Sequence, residues 1–149
     1  MMQDSGYRVK EISCILNPVS VFFGVYMYQI NIETHFSAAH RLIQYDGECE
    51  RLHGHNWKVV VSVSSETLDN LGMVMDFKIL KDKTKFFIAK LDHQYLNEIP
   101  PFNEINPTTE NMAKYLFDEL SDVVNTDVVK ISRVEVWESP TCSASYTQS

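Results

Sequence analysis

Three histidines, His40, His53 and His55, fall within sixteen positions, the last two flanking a single glycine, and Cys49 lies just upstream of that pair. Such a stretch constrains the backbone around it. In extended chain, residues two apart point to the same face, so His53 and His55 can aim at one metal ion. Gly54 between them permits a close backbone approach or a conformation that a Cβ forbids. His40 has to arrive from a separate strand. Three neutral nitrogen ligands leave the fourth tetrahedral position of a zinc ion open to water or substrate, the pattern of a catalytic site and not of a closed structural one. The spacing therefore predicts a reactive metal centre with a thiol beside it.

The chain has 149 residues, enough for one domain that buries its own core without disulfide or metal staples. Its formal charge of −7 excludes a general nucleic-acid binder, which needs a basic surface to neutralise phosphates. A small anionic substrate is compatible, since a pocket needs only a few local cations. Cys14, Cys49 and Cys142 are an odd and sparse set, so free thiols in a reducing, cytoplasmic compartment are expected. The run Val19–Tyr26 is too short to cross a bilayer, and no small-residue cleavage site follows it. Residues 1–25 are accordingly read as an N-terminal extension, and residues 26–149 as the functional domain, without membrane association.

From Tyr28 the pattern alternates. Tyr28, Ile30 and Ile32 interleave with Gln29, Asn31 and Glu33, the mark of a half-buried strand that runs into His40. His35 differs in parity from His40 and should point away from the metal unless a bulge intervenes. Asn56 to Ser64 reads as a second strand, with Trp57, Val59, Val61 and Val63 on one face. Met73–Met75 reads as a short third. Asp76 is a candidate N-cap for a helix with Phe77, Leu80, Phe87 and Leu91 on one stripe, closed before Pro100-Pro101. Asn106-Pro107-Thr108-Thr109-Glu110 opens a second helix, whose stripe is Met112, Ala113, Leu116, Phe117, Leu120, Val123 and Val124. Lys130–Glu138 and Ser143–Thr147 complete a strand pair. These elements predict an α+β fold with an antiparallel sheet and helices on one face.

Six motifs occur in order: Phe36-Ser37-Ala38-Ala39-His40-Arg41-Leu42; Cys49-x-x-x-His53-Gly54-His55; Val74-Met75-Asp76-Phe77; Leu91-Asp92-His93-Gln94-Tyr95-Leu96-Asn97; Pro107-Thr108-Thr109-Glu110; and Val136-Trp137-Glu138. Over roughly His35 to Tyr146 the chain resembles the 6-pyruvoyltetrahydropterin synthase / 6-carboxytetrahydropterin synthase family. The resemblance implies a tunnelling fold: a four-stranded antiparallel sheet with two helices on one side, assembled through sheet edges into a trimeric barrel and usually a hexamer. It implies Zn²⁺ held by His40, His53 and His55, and a pterin triphosphate as substrate. The three-residue spacer from Cys49 to His53 looks like the bacterial 6-carboxy type, which serves the queuosine and 7-deazaguanine pathway. The pyruvoyl enzymes of animals usually have more residues there.

The resemblance further implies that zinc acts as a Lewis acid on the side-chain hydroxyls of 7,8-dihydroneopterin triphosphate, and that Cys49 is the general base at the side-chain carbon. Asp92 and His93 form a proton relay, which requires a turn because adjacent side chains rarely face each other. Glu138 holds the guanidine-like edge of the pterin through two parallel hydrogen bonds, and Thr108 and Thr109 line the pocket. Each residue also has a purely structural reading. Cys49 can be a small buried hydrophobe, His93 and Thr108 helix caps, and Glu138 a strand-end charge. Three competing functions stay open at this point: 6-pyruvoyltetrahydropterin synthesis, a non-catalytic zinc- or pterin-binding protein, and a structural metal site with Cys49 as fourth ligand. Cys142 is set aside as incidental.

Overall fold

The computed structural model describes residues 27–148; the expected N-terminal extension lies outside them. The elements run β1 (Tyr28–His40), β2 (His53–Ser65), α1 (Phe77–Leu91), β3 (Gln94–Tyr95), α2 (Thr109–Val124), β4 (Lys130–Ser139) and β5 (Cys142–Thr147). They form one sheet in the order β3-β1-β2-β4-β5. All neighbours are antiparallel except β3, which pairs with β1 in parallel at Ala38 and Ala39. The α+β class holds, but the sheet has five strands, and the parallel β3 corrects the expected four-stranded antiparallel sheet. No helix is long and apolar enough to cross a membrane among the described residues.

Alternation decides which face each residue takes. In β1 the even-numbered residues Ile32, Phe36, Ala38 and His40 are buried, while Gln29, Asn31, Glu33 and His35 are exposed. The register with β2 is unbroken from Tyr28↔Ser65 to His40↔His53. No bulge reverses the parity, so His35 stays on the open face, 3.6 Å from Glu33. On β2 the residues Trp57, Val59, Val61 and Val63 are fully buried, opposite Ile131, Val134 and Val136 of β4 and beneath both helices. Each such side chain contributes roughly 1.5–3 kcal/mol through removal of apolar surface from water, which fixes the sheet against the helices and with it the strand ends that carry the histidines.

Asp76 caps α1 by accepting from the Lys78 N–H at 2.7 Å. The buried stripe of α1 is Leu80, Thr84, Phe87, Ile88 and Leu91, and that of α2 is Met112, Ala113, Leu116, Phe117, Leu120 and Val124. Phe77 and Val123, assigned to these stripes from periodicity, lie in end turns and are exposed. Met73–Met75 is not a strand. The Asp69 carboxylate accepts from the Leu71 and Met73 N–H groups at 2.8 and 2.9 Å, and Gly72 sits at φ +80°. A side chain that captures those N–H groups closes a turn and removes them from any ladder. Val74 and Met75 still pack on the core, which accounts for their apolar character.

Candidate metal centre

The strand register brings the histidines together. His40, the last residue of β1, stands directly opposite His53, the first of β2, and His55 faces Ala38 two positions on. Glu138 joins them from β4, where the parity that buries Val134 and Val136 carries it to the same face. One ligand atom from each of His40, His53, His55 and Glu138 lies within 4.8 Å of all the others. Trp57 walls this group from below, with its ring centroid 5.0 Å from those of both His40 and His55.

Backbone carbonyls set the tautomers. His40 Nδ1 donates to the Pro107 carbonyl at 2.8 Å, and His53 Nδ1 to the Arg51 carbonyl at 2.7 Å. A carbonyl only accepts, so both Nδ1 atoms carry the proton, and each neutral ring presents a bare Nε2 lone pair. Those two Nε2 atoms are 3.1 Å apart, with no proton to share. His55 Nε2 is shut off from solvent and makes no well-formed hydrogen bond, although Glu138 Oε1 is 3.1 Å away. Two bare Nε2 lone pairs, the His55 Nε2 and a carboxylate oxygen converge in a donor set that fits a divalent cation, and the outer hydrogen bonds that orient two of the rings are those expected around a metal.

Electrostatics agree with neutral ligands. Burial pushes the His40 imidazole below its ordinary pKa, against a smaller opposing effect from the Pro107 hydrogen bond, and the neighbouring His53 and His55 lower it further. Burial also lowers His55, against the opposing charge of Glu138. A histidine whose folded pKa is depressed below 6.5 stabilises the fold above that pH, and this stability is lost as pH falls through the folded value. The metal-stripped protein should therefore show a Tm that declines as pH falls from 6.5 toward 5, above the range in which Asp92 contributes. A Tm flat between pH 7.5 and 5 would contradict the assignment.

Cys49 sits on a short 3₁₀ turn, Glu48–Glu50. It lines a cavity of about 370 Å³ with His40, Thr108, Thr109, Glu138 and Cys142. Thr108 caps α2 by accepting from the Asn111 N–H at 3.2 Å, so its structural reading is realised in addition to its place in the cavity. Thr109 Oγ1 donates to Glu138 Oε2 at 3.0 Å, holding the carboxylate between a hydroxyl and the His55 ring. Cys142, set aside from sequence, lines this same cavity because it pairs with Ser139, next to Glu138, across the β4–β5 turn.

Asp92 and His93 lie elsewhere. Asp92 closes α1 and accepts from the Ser37 N–H at 2.9 Å, while His93 N–H donates to the Ser37 carbonyl at 2.6 Å. His93 takes a left-handed φ of 58°, and this turn is what lets two sequence neighbours meet, with His93 Nδ1 3.0 Å from Asp92 Oδ1. The Ser37 N–H, with His93 adding, holds the Asp92 carboxyl below the usual carboxylate range. His93 lines a second cavity of about 520 Å³ with Ser37, His55, Asn56 and Tyr95. Within one chain, Cys49 and His93 thus face different cavities on either side of the histidine cluster.

Known proteins share this arrangement of chain. Residues 29–149 match the family model described as 6-pyruvoyl tetrahydropterin synthase. The 6-carboxy-5,6,7,8-tetrahydropterin synthase of Synechocystis is 38% identical over 125 residues, covering 80% of this chain and 93% of that protein. The human 6-pyruvoyl tetrahydrobiopterin synthase is 36% identical over 125 residues, covering 74% and 85%. Among solved structures, the 6-pyruvoyl tetrahydropterin synthase of Caenorhabditis elegans superposes with a TM-score of 0.75 at 28% identity, covering 85% of this chain and 99% of that one. With the match extending from the start of β1 through β5, the chain belongs to the 6-pyruvoyl tetrahydropterin synthase family.

Proposed function

We propose that this chain is a zinc-dependent 6-carboxy-5,6,7,8-tetrahydropterin synthase, a lyase converting 7,8-dihydroneopterin triphosphate to 6-carboxy-5,6,7,8-tetrahydropterin with loss of triphosphate and acetaldehyde. The observation that carries it is a thiol separated by three residues from His53-Gly54-His55, lining one cavity with His40, Thr109 and Glu138. The similarity to the Synechocystis enzyme agrees with that spacing. His40, His53 and His55 hold the zinc. When bound, the ion supplies Lewis-acid polarisation of the substrate's side-chain hydroxyls.

The protein residues then divide the work. Cys49 removes the proton from the side-chain carbon as general base. Glu138, steadied by Thr109, accepts two parallel hydrogen bonds from the guanidine-like edge of the pterin, and Thr108 borders the same pocket. Asp92 orients His93, which moves a proton at the ring end. His93 and Cys49 line separate cavities of one chain. A homo-oligomer joined through sheet edges, trimeric or hexameric, would let a neighbouring chain bring the second group to the same substrate. Both edges are suited to it: β5 ends the sheet on one side, and on the other β1 is paired outward only at Ala38 and Ala39. The sparse cysteines agree with a cytoplasmic setting.

The reading that competes keeps the metal and the fold but ends at 6-pyruvoyltetrahydropterin, as the similarity to the human enzyme allows. Incubating zinc-loaded protein with 7,8-dihydroneopterin triphosphate, identifying the pterin by mass spectrometry and assaying acetaldehyde separates the two. The 6-carboxy product with stoichiometric acetaldehyde is expected; a pyruvoyl product without acetaldehyde would overturn the choice. A merely binding protein would have no use for Cys49 or the Asp92–His93 pair, and it would give no product at all.

A further inference from the structure

The segment Arg41–Ile43, between metal-site His40 and the loop that carries Cys49, is held on both sides by hydrogen bonds. Along one side two asparagine side chains each grip a single residue through both backbone groups. Asn97 accepts from the Arg41 N–H and donates to the Arg41 carbonyl, both at 2.9 Å. Asn106 accepts from the Ile43 N–H at 2.7 Å and donates to the Ile43 carbonyl at 3.0 Å. On the other side the Leu42 N–H donates to the Cys49 carbonyl at 2.8 Å. In extended backbone the polar groups of residues i and i+2 point one way and those of i+1 the other. Two side-chain amides thus stand in for a missing neighbouring strand.

The geometry points to Asn97 and Asn106 as positioning residues that fix the Cys49 thiol relative to the metal ligands. Asn106 is well placed for this, because the carbonyl of the next residue, Pro107, orients His40, and Thr108 and Thr109 follow at the cap of α2. A single rigid stretch therefore sets the ligand ring, the thiol loop and the Glu138 carboxylate together. Asn97 anchors the same segment from the turn after β3, the turn that also follows His93. An asparagine amide suits this role because it donates and accepts at once, which neither aspartate nor leucine of similar size can do. This inference rests on Cys49 being the base.

The test uses zinc-loaded Asn97→Ala, Asn106→Ala, the double variant and the isosteric Asn97→Asp, which keeps the acceptor for the Arg41 N–H but loses the donor. Three quantities are read: zinc content, kcat and KM with 7,8-dihydroneopterin triphosphate, and iodoacetamide alkylation followed at the Cys49 peptide by mass spectrometry. Each alanine variant should lose about 10- to 100-fold in kcat with KM changed by no more than about twofold. Zinc should stay at one ion per chain and Cys49 alkylation should accelerate as the loop opens; Asn97→Asp should fall between wild type and alanine. If the alanine variants do not fold, Asn97→Asp alone carries the comparison. Unchanged kcat and alkylation, or a kcat loss that merely follows zinc loss, would overturn the proposal. If the wild type does not turn over this substrate, the proposed function fails, while the alkylation rates still decide the role of the two asparagines.

Discussion

Replacing Cys49 with alanine should lower kcat by about a hundred- to ten-thousand-fold, the range that a positioned general base contributes, while zinc stays at one ion per chain. The reason is spatial. Cys49 lines the cavity that His40, Thr109 and Glu138 border, yet it is not among the four residues whose ligand atoms cluster within 4.8 Å of one another. Removing the thiol takes away a proton acceptor without taking away a ligand. Metal analysis and steady-state kinetics on the same preparation check the expectation. A Cys49→Ala protein that turns over at the wild-type rate would remove the catalytic role, and one that has lost its zinc would make the cysteine a ligand.

Trp57→Ala should be the most damaging substitution for stability. The indole is fully buried, stacks on Phe36 at 6.0 Å with an interplanar angle of 13°, and meets His40 and His55 edge-on at 5.0 Å. Truncating a buried aromatic in a packed core costs about 3–5 kcal/mol, through lost transfer energy and the cavity left behind. In a domain of this size that lowers Tm by about 10–20 °C. The effect should not stop at stability. With their common wall gone, the two rings lose the packing that holds their Nε2 atoms toward His53, so zinc affinity should fall as well. Thermal unfolding with and without zinc measures both. A drop in Tm of less than about 3 °C with unchanged zinc affinity would show that the indole is not the floor of the site.

Much of the fold is legible in the sequence, for physical reasons that differ from element to element. β1, β2 and α2 are readable because one buried face imposes a period of two or 3.6 on the side chains. The same rule puts His35 on the open face. β3 is not readable, since two residues have no period, and its pairing depends on how α1 ends against Ser37. Met73–Met75 misleads because apolar character reports burial, whereas Asp69 ties the Met73 N–H into a turn.

At the site, the convergence of His53 and His55 follows from the strand parity, and the expected need for glycine at Gly54 is not met, because a Cβ there would come no closer than 3.5 Å to the Ala38 carbonyl oxygen. The position of Glu138 beside the three histidines is present in the Val134-Val136-Glu138 alternation, although the family resemblance assigns this carboxylate only to the pterin. The placement of Cys142 in the same cavity as Cys49, and the asparagine amides that hold Arg41–Ile43, depend on contacts between residues far apart in the chain, for which local pattern carries no signal.

X-ray absorption at the zinc edge of the loaded, substrate-free protein tests the centre of this account most directly. Three imidazole nitrogens completed by oxygen, at about 2.0–2.2 Å and with no sulfur, is the shell predicted. A sulfur neighbour at about 2.3 Å would make Cys49 a fourth protein ligand, close the site, and contradict the assignment of its thiol as a base.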